Sequence, residues 1–212
     1  LFVTMGERAD LSDGAQDLST HLGKVVRIMP DGSAPKDNPY VGKDDAMPEV
    51  WSYGHRNVQG AALDPETGQL WTTEHGPKGG DELNQPQAGK NYGWPVITYG
   101  IDYDGSKIGD GIKAKDGMEQ PVYYWKPSIG TSGLAFYSGD LFKGWKGNLI
   151  AGGLSGLTLQ RLVLEAGQVI AVEQLLTNRK ERIRDVRQSP DGAVYVLTDD
   201  DDGKLLRLTP KP

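Results

Sequence analysis

Short apolar runs recur along the chain, each bounded by polar, glycine-bearing turns. The unit reads as LFVTMGE from Leu1, as DPETGQLWTTEHG at Asp64–Gly76, as GWKGNLIAGGLSG at Gly144–Gly156 and as SPDGAVYVLTDDDDG at Ser189–Gly203. A second run reading L-x-R-L or similar follows at varying distance, in GKVVRIMPDG, LTLQRLVLEAGQ and KLLRLTPKP. In P-D-G and P-E-T-G, proline presets φ and glycine accepts φ > 0, so both are turn signals with a mechanism. The pattern predicts a repeated β-hairpin at irregular spacing. That is the signature of β-propeller blades carrying long inserted loops. A β-sandwich would show the same short strands.

The segments between the strands are polar. Arg8–Thr20 and Ser33–Met47 read as surface loops. Lys78–Lys90 and Tyr99–Gly117 are long, acidic and glycine-rich, the kind of loop that is either functional or disordered. Ala166–Leu176 has mixed periodicity and reads as a strand pair, and Asp199–Asp202 as a solvated turn between the last two strands. Little helix is expected, and no domain boundary stands out, so residues 1–212 read as one partial propeller domain.

Composition sharpens this picture. The 212 residues include 29 glycines and 13 prolines, which favours many turns and short strands. The absence of cysteine excludes disulfides and thiolate chemistry. A net charge of −6, with basic residues scattered apart from Arg179–Arg187, argues against nucleic acid as a partner. No apolar run approaches the roughly 20 residues of a membrane span. The chain opens directly into a strand with no signal peptide, and reads as the later part of something longer.

Chemistry concentrates between Trp51 and Pro95, where polar turns flank two short apolar segments, Gly60–Leu63 and Gln69–Thr73. Loops carried on a β scaffold are where sites are built. Arg56 and Asn57 form a cationic and amide pair, followed by an E-H-G-P turn at Glu74–Pro77. Asp81, Glu82, Asp102, Asp104, Asp110 and Asp116 could supply carboxylates to a hard cation such as calcium, with loop carbonyls completing the shell. EF-hand spacing is absent, and a solvated acidic loop explains the same residues. His21, His55 and His75 lack zinc-site spacing; His21 reads as a surface or strand-edge residue, and His55 and His75 as hydrogen-bonded loop residues or, equally, catalytic ones. On a strand, Arg182 and Arg184 would point the same way and need an anion or carboxylate opposite, for which Asp185 has the wrong parity. They could equally be exposed arginines of an outer strand. With Arg56 they could form a pocket for a polyanion. Aromatics at Tyr92, Trp94, Tyr99, Tyr103 and Tyr123–Trp125 serve packing or stacking on a planar ligand or sugar. No nucleophile elbow or phosphate-binding glycine loop occurs.

Three motifs in order, WSYGHRNVQG, EHGPKGGDELN and GKNYGWP, closely resemble the soluble pyrroloquinoline quinone (PQQ) dependent sugar dehydrogenases. The likeness is greatest to the aldose sugar dehydrogenase branch of the glucose/sorbosone dehydrogenase family. LGKVVRIMPDGSAPKDNPY and ERIRDVRQSPDGAVYVLTD extend the match over nearly the whole chain. The resemblance implies a six-bladed propeller, about four blades of it here. It implies oxidation of aldoses at the anomeric carbon to lactones, with PQQ and calcium as cofactors, an external electron acceptor and a periplasmic or secreted location.

Residue by residue, the resemblance implies that Arg56 and Asn57 contact PQQ and that Arg182 and Arg184 grip its carboxylates. Tyr103 would lie against it. The carbonyls of Gly76 and Pro77 would bind the calcium that holds PQQ. Glu82, the Tyr92 carbonyl and Asp102 would bind a second, structural calcium, and Trp125 falls near an aromatic that covers the sugar. Two departures stand out. The family's catalytic histidine would precede Leu1, so no residue here is assigned that role, and a second chain is one way to complete the propeller. A family lysine in the turn matching Gly153–Leu157 is Ser155 here. A non-catalytic calcium-binding propeller acting as a ligand or protein binding module, and a calcium-dependent lactone hydrolase, are the other classes considered.

Overall fold

A computed structural model describes residues 1–211. Among them are fourteen strands and one 3-10 turn, Ser12–Ala15. The strands form four sheets: β1 (Phe2–Met5) to β3 (Val50–Tyr53), β4 (Val58–Leu63) to β7 (Tyr123–Trp125), β8 (Thr131–Phe136) to β11 (Gln168–Leu175), and β12 (Ile183–Gln188) to β14 (Leu205–Leu208). In every sheet, neighbours in space are neighbours in sequence. These are antiparallel meanders, the pattern of propeller blades, without the Greek-key connections of a sandwich. The chain is all-β and has the blade pattern of a β-propeller.

The three recurring strand pairs form hairpins in the order expected. β1 pairs with β2 (Lys24–Arg27), β9 (Leu149–Gly153) with β10 (Thr158–Glu165), and β13 (Val194–Thr198) with β14. The proline–glycine turns that follow β2 and β4 close as their sequence signals require. In P-D-G-S, Asp31 Oδ1 accepts from the Ser33 N–H at 3.0 Å and Gly32 sits at φ 87°. In D-P-E-T-G, Asp64 accepts from the Glu66 N–H and the Thr67 hydroxyl.

Contacts divide the chain into two compact units, residues 1–58 with 74–126, and residues 59–73 with 127–212. In the second unit Tyr137, Ile150, Leu159, Ile183, Val186, Val194 and Val196 form a buried cluster. Burying each aliphatic side chain stabilises the fold by about 1.5–3 kcal/mol. In the first unit Val25, Val50 and Leu83 are fully buried.

Three segments depart from the sequence pattern. Lys78–Lys90 is not a structureless acidic loop: Asp81–Asn84 form strand β6, paired with β7. Its carboxylates were misleading because they are internally partnered, as described below. Gln168–Leu175 is one strand, not two, with Ala166 and Gly167 as the preceding turn at φ 48° and 75°. Arg8–Thr20 contains the 3-10 turn, whose Ala15 is fully buried. Lys24 organises that turn. Its buried Nζ donates to the carbonyls of Gly14, Ala15 and Leu22 at 2.6–3.0 Å. Burial pulls its pKa down to about 8.

Candidate functional site

The first unit builds its polar site from the residues that follow β3, from Glu74 at the end of β5 (Leu70–Glu74) and from β6. At its centre lies a buried network. His55, fully buried, meets Ser52 Oγ at 2.8 Å through Nε2 and Glu74 Oε1 at 2.9 Å through Nδ1. Its ring stacks on Tyr92 with centroids 4.7 Å apart. With Nδ1–H donating to the carboxylate, Nε2 is left for the serine hydroxyl. Glu74 also accepts from the Arg56 backbone N–H at 2.7 Å and from Asn84 Nδ2 at 2.8 Å. Burial alone would raise its pKa. The His55 charge and these bonds outweigh burial and hold it below the ordinary value.

Asn84 links this network to the next carboxylate, because Nδ2 also donates to Glu82 Oε2 at 3.0 Å. Asn84 Oδ1 is buried with no hydrogen-bond partner. Glu82 is partly accessible, and its pKa is pushed up to about 8 by burial first, then by the nearby Glu74 and Asp81 charges. Asp81 accepts from the Gly76 N–H at 3.0 Å.

Arg56 is held from several sides. Nη1 donates to the Gly76 carbonyl at 2.9 Å, and the guanidinium lies over the Trp94 ring at 5.2 Å. Its Nε is buried without a hydrogen-bond partner, 3.9 Å from Glu7 Oε1. A narrow cavity with room for about one water-sized occupant is lined by Arg56, Glu74, His75, Gly76, Glu82 and Trp94, among others. Two glycines are required beside it. A Cβ on Gly76 would lie 2.2 Å from the Gly80 carbonyl oxygen. Gly54, at φ 74°, has Asn91 Oδ1 where a Cβ would go. Asn91 and the Trp94 carbonyl are in turn gripped by Gln16.

The remaining expected residues of this unit fall as follows. Asn57 ends the same turn as Arg56, its backbone carbonyl accepting from the His75 N–H at 3.0 Å. Pro77 packs its ring on Gly100, whose added Cβ would meet it at 2.7 Å. Tyr92 donates its hydroxyl to the Gln85 carbonyl at 2.6 Å, and burial raises its pKa. Asp102 opens an exposed turn in which Oδ1 accepts from the Tyr103 N–H, and Tyr103 itself is 68% exposed. Trp125 is buried in β7, edge-on to Tyr123. Asp104, Asp110 and Asp116 are exposed, as a solvated loop would have them. His21 is a surface residue facing Glu49 at 3.4 Å.

In the second unit Arg182 and Arg184 converge on one side, with Ile183 buried between them. The β12–β13 register slips between Ile183 and Asp185, leaving Arg184 at the irregularity. Both Nε groups donate to one carboxylate, Asp199, at 2.8 and 3.1 Å. Asp185 pairs with Arg187 instead. Ser155 follows buried Leu154 and is exposed. Sequence reasoning assigned no role to Glu7, Gln16, Glu74, Asn84 or Asp199. A signal existed for Asp199: two same-facing arginines demanded a carboxylate from elsewhere.

The profile of the Glucose / Sorbosone dehydrogenase family matches residues 1–207. Aldose sugar dehydrogenase YliI of Escherichia coli (strain K12) is 46% identical over 212 residues, all of this chain and 57% of that protein. The solved apo-form of the soluble aldose sugar dehydrogenase (Asd) from Escherichia coli superposes with a TM-score of 0.94 at 46% identity, covering 99% of this chain and 60% of that one. The PQQ-bound form of the aldose sugar dehydrogenase (Adh) from Streptomyces coelicolor superposes with a TM-score of 0.78 at 29% identity, covering 98% of this chain and 57% of that one. The chain thus spans less than two thirds of the length of these relatives. With a family profile matched across nearly all of its residues, the chain belongs to the Glucose / Sorbosone dehydrogenase family.

Proposed function

We propose that this chain carries the PQQ and calcium sites of a sugar dehydrogenase that oxidises aldoses at the anomeric carbon to lactones and passes the electrons to an external acceptor. The observation that carries the reading is the cavity where an immobilised guanidinium, Arg56, and a high-pKa carboxylate, Glu82, line the same small space. Family membership supplies the reaction class, and the PQQ-bound Streptomyces coelicolor relative supports the cofactor. Family membership supports a periplasmic or secreted location. No helix among the described residues is long and apolar enough to cross a membrane.

The residues suit both groups. Among the described residues, no cluster of three or more His, Cys, Asp and Glu gathers, so a cation here would draw most of its shell from carbonyl and amide oxygens. Calcium takes carboxylate, amide and carbonyl oxygens. Glu82 and the unpartnered Asn84 Oδ1 offer such oxygens, and a nearby cation would reverse the upward push on Glu82. We assign Glu82, the Tyr92 carbonyl and Asp102 to one calcium, and the Gly76 and Pro77 carbonyls to the other. PQQ is planar and carries three carboxylates. Arg56, whose buried Nε lacks a hydrogen-bond partner, and Asn57 would hold its polar edge. Arg182 and Arg184 would take carboxylates, Tyr103 would lie against the ring, and Trp125 would face the sugar.

When bound, PQQ supplies a hydride acceptor and calcium the Lewis acid that polarises it. The chain's own part is electrostatic and positional. Arg56 presents a fixed positive charge where negative charge develops, without reorganising during reaction. Glu74 fixes the Arg56 backbone, and Trp94 shields one face of the guanidinium from water. His55 is fully enclosed and engaged at both nitrogens, so it serves the scaffold and not proton abstraction.

The test is a PQQ titration with calcium present, read by absorbance alongside sugar-dependent dye reduction. Calcium-dependent binding that Arg182→Ala weakens more than Arg179→Ala is expected. Arg179 is paired locally with Glu181 and serves as the control. Equal loss in both variants would sink the assignment of the arginine pair. Binding without turnover would mean that the base is not supplied by this chain.

A further inference from the structure

The arginine pair of the second unit has a feature that the cofactor reading does not use. Asp199 follows β13 directly, and its backbone N–H donates to the Arg182 carbonyl at 2.9 Å. Its two side-chain oxygens are divided between the guanidiniums. Oδ2 takes Nε and Nη2 of Arg182, each at 2.8 Å, and Oδ1 takes Nε of Arg184 at 3.1 Å. An arginine has five N–H donors, so donors remain on both after Asp199 is served. Both arginine side chains are nearly half exposed, at 47% and 44%. Arg184 sits at the register slip, where ladder pairing does not fix its direction. Two long, like-charged side chains on such an edge would otherwise repel and sample many rotamers.

We propose that Asp199 is the positioning residue that fixes Arg182 and Arg184 as one carboxylate-binding fork. The identity of the anion, PQQ, rests on the cofactor reading above; the fork itself does not. The carboxylate offsets one positive charge and orders both guanidiniums before the ligand arrives. Preorganisation and simple attraction then predict opposite signs for the same substitution. Asp199→Asn raises the local charge by one, so attraction alone predicts tighter anion binding. The carboxamide has only one acceptor oxygen and turns its NH2 toward the other guanidinium's donors. Positioning therefore predicts weaker binding. Two rotamer-rich side chains that must be ordered on binding cost about 10-fold in affinity.

The experiment combines arginine Nε–H signals in nitrogen-15 NMR with anion titrations of the whole chain, wild type and Asp199→Asn, with Asp199→Ser as a second variant. Thermal melts check that each variant is folded. The expected result is a pair of slowly exchanging Nε–H signals for Arg182 and Arg184 in the wild type. Both should be lost in the variants, with PQQ binding about 10-fold weaker. Unchanged or tighter PQQ binding in folded variants would overturn the proposal and make Asp199 a competing anion. If PQQ fails to bind but benzene-1,3,5-tricarboxylate shifts both signals in the wild type alone, the fork stands and the PQQ reading falls. If neither anion shifts them in the wild type, the fork is refuted.

Discussion

Replacing Glu74 with glutamine tests whether the buried network holds the site together. Glu74 and His55 have side-chain exposures of 4% and 0%. The two carboxylate oxygens serve three donors: His55 Nδ1 and Asn84 Nδ2 on Oε1, and the Arg56 N–H on Oε2. A carboxamide has one acceptor oxygen. Its NH2 must face either the side-chain pair or the Arg56 N–H, and the second choice orphans only one donor. One buried orphan costs about 1–3 kcal/mol, and breaking a buried charged pair costs about 3–5 kcal/mol. Because the remaining oxygen still serves His55 and Asn84, the lower end applies, and we expect a loss of about 3 kcal/mol. For a chain of this size that corresponds to a melting temperature lower by about 6–12 °C. Urea denaturation at neutral pH measures it.

The pH dependence gives a second, independent check on Glu74. Its folded pKa is lowered, so its stabilisation is present above the unfolded carboxylate value of about 4.3 and is lost as pH falls through the folded value. The stability difference between wild type and Glu74→Gln should therefore shrink in acid. A difference below about 1 kcal/mol at pH 7, the centre of the range for ordinary substitutions, or a difference that does not change between pH 7 and 3, would refute the reasoning.

Three further outcomes are expected. Lys24→Met removes the ammonium from the Gly14 and Leu22 carbonyls and should cost about 2–4 kcal/mol in urea denaturation. Because the folded Lys24 releases its proton near 8 and the unfolded one near 10.5, wild-type stability relative to Lys24→Met should climb between those pH values. Gly76→Ala, whose Cβ would meet the Gly80 carbonyl oxygen at 2.2 Å, should lower stability by about 1–3 kcal/mol, read from its melting temperature. Calcium should raise the melting temperature, bind more tightly as pH rises through about 8, and release protons on binding at pH 7; Glu82→Gln should abolish that proton release.

Some of this protein was decided locally. Proline-glycine turns and runs such as LIAGG and VYVLT set where strands begin and end, because φ restriction and β-branched bulk act within a few residues. The meander order followed from the repeated hairpin, since consecutive strands pair with one another even across the long insert between β6 and β7. The motifs around Arg56 and Gly76 were also legible, since their residue types stand together in the chain. Tertiary structure alone decided which polar groups are buried. Asp81 and Glu82 read as loop acids, yet they lie on a strand because Trp125 and Tyr124, far along the chain, pair with them. Lys24 stands unremarked at the head of the run KVVRI, yet it is enclosed because the carbonyls of Gly14, Ala15 and Leu22 converge on it. Arg182 and Arg184 face one way as their spacing suggested, yet the carboxylate that holds them comes from across the hairpin, which no spacing disclosed. Burying a charge demands partners, and partners distant in sequence are brought within reach only when the sheets form.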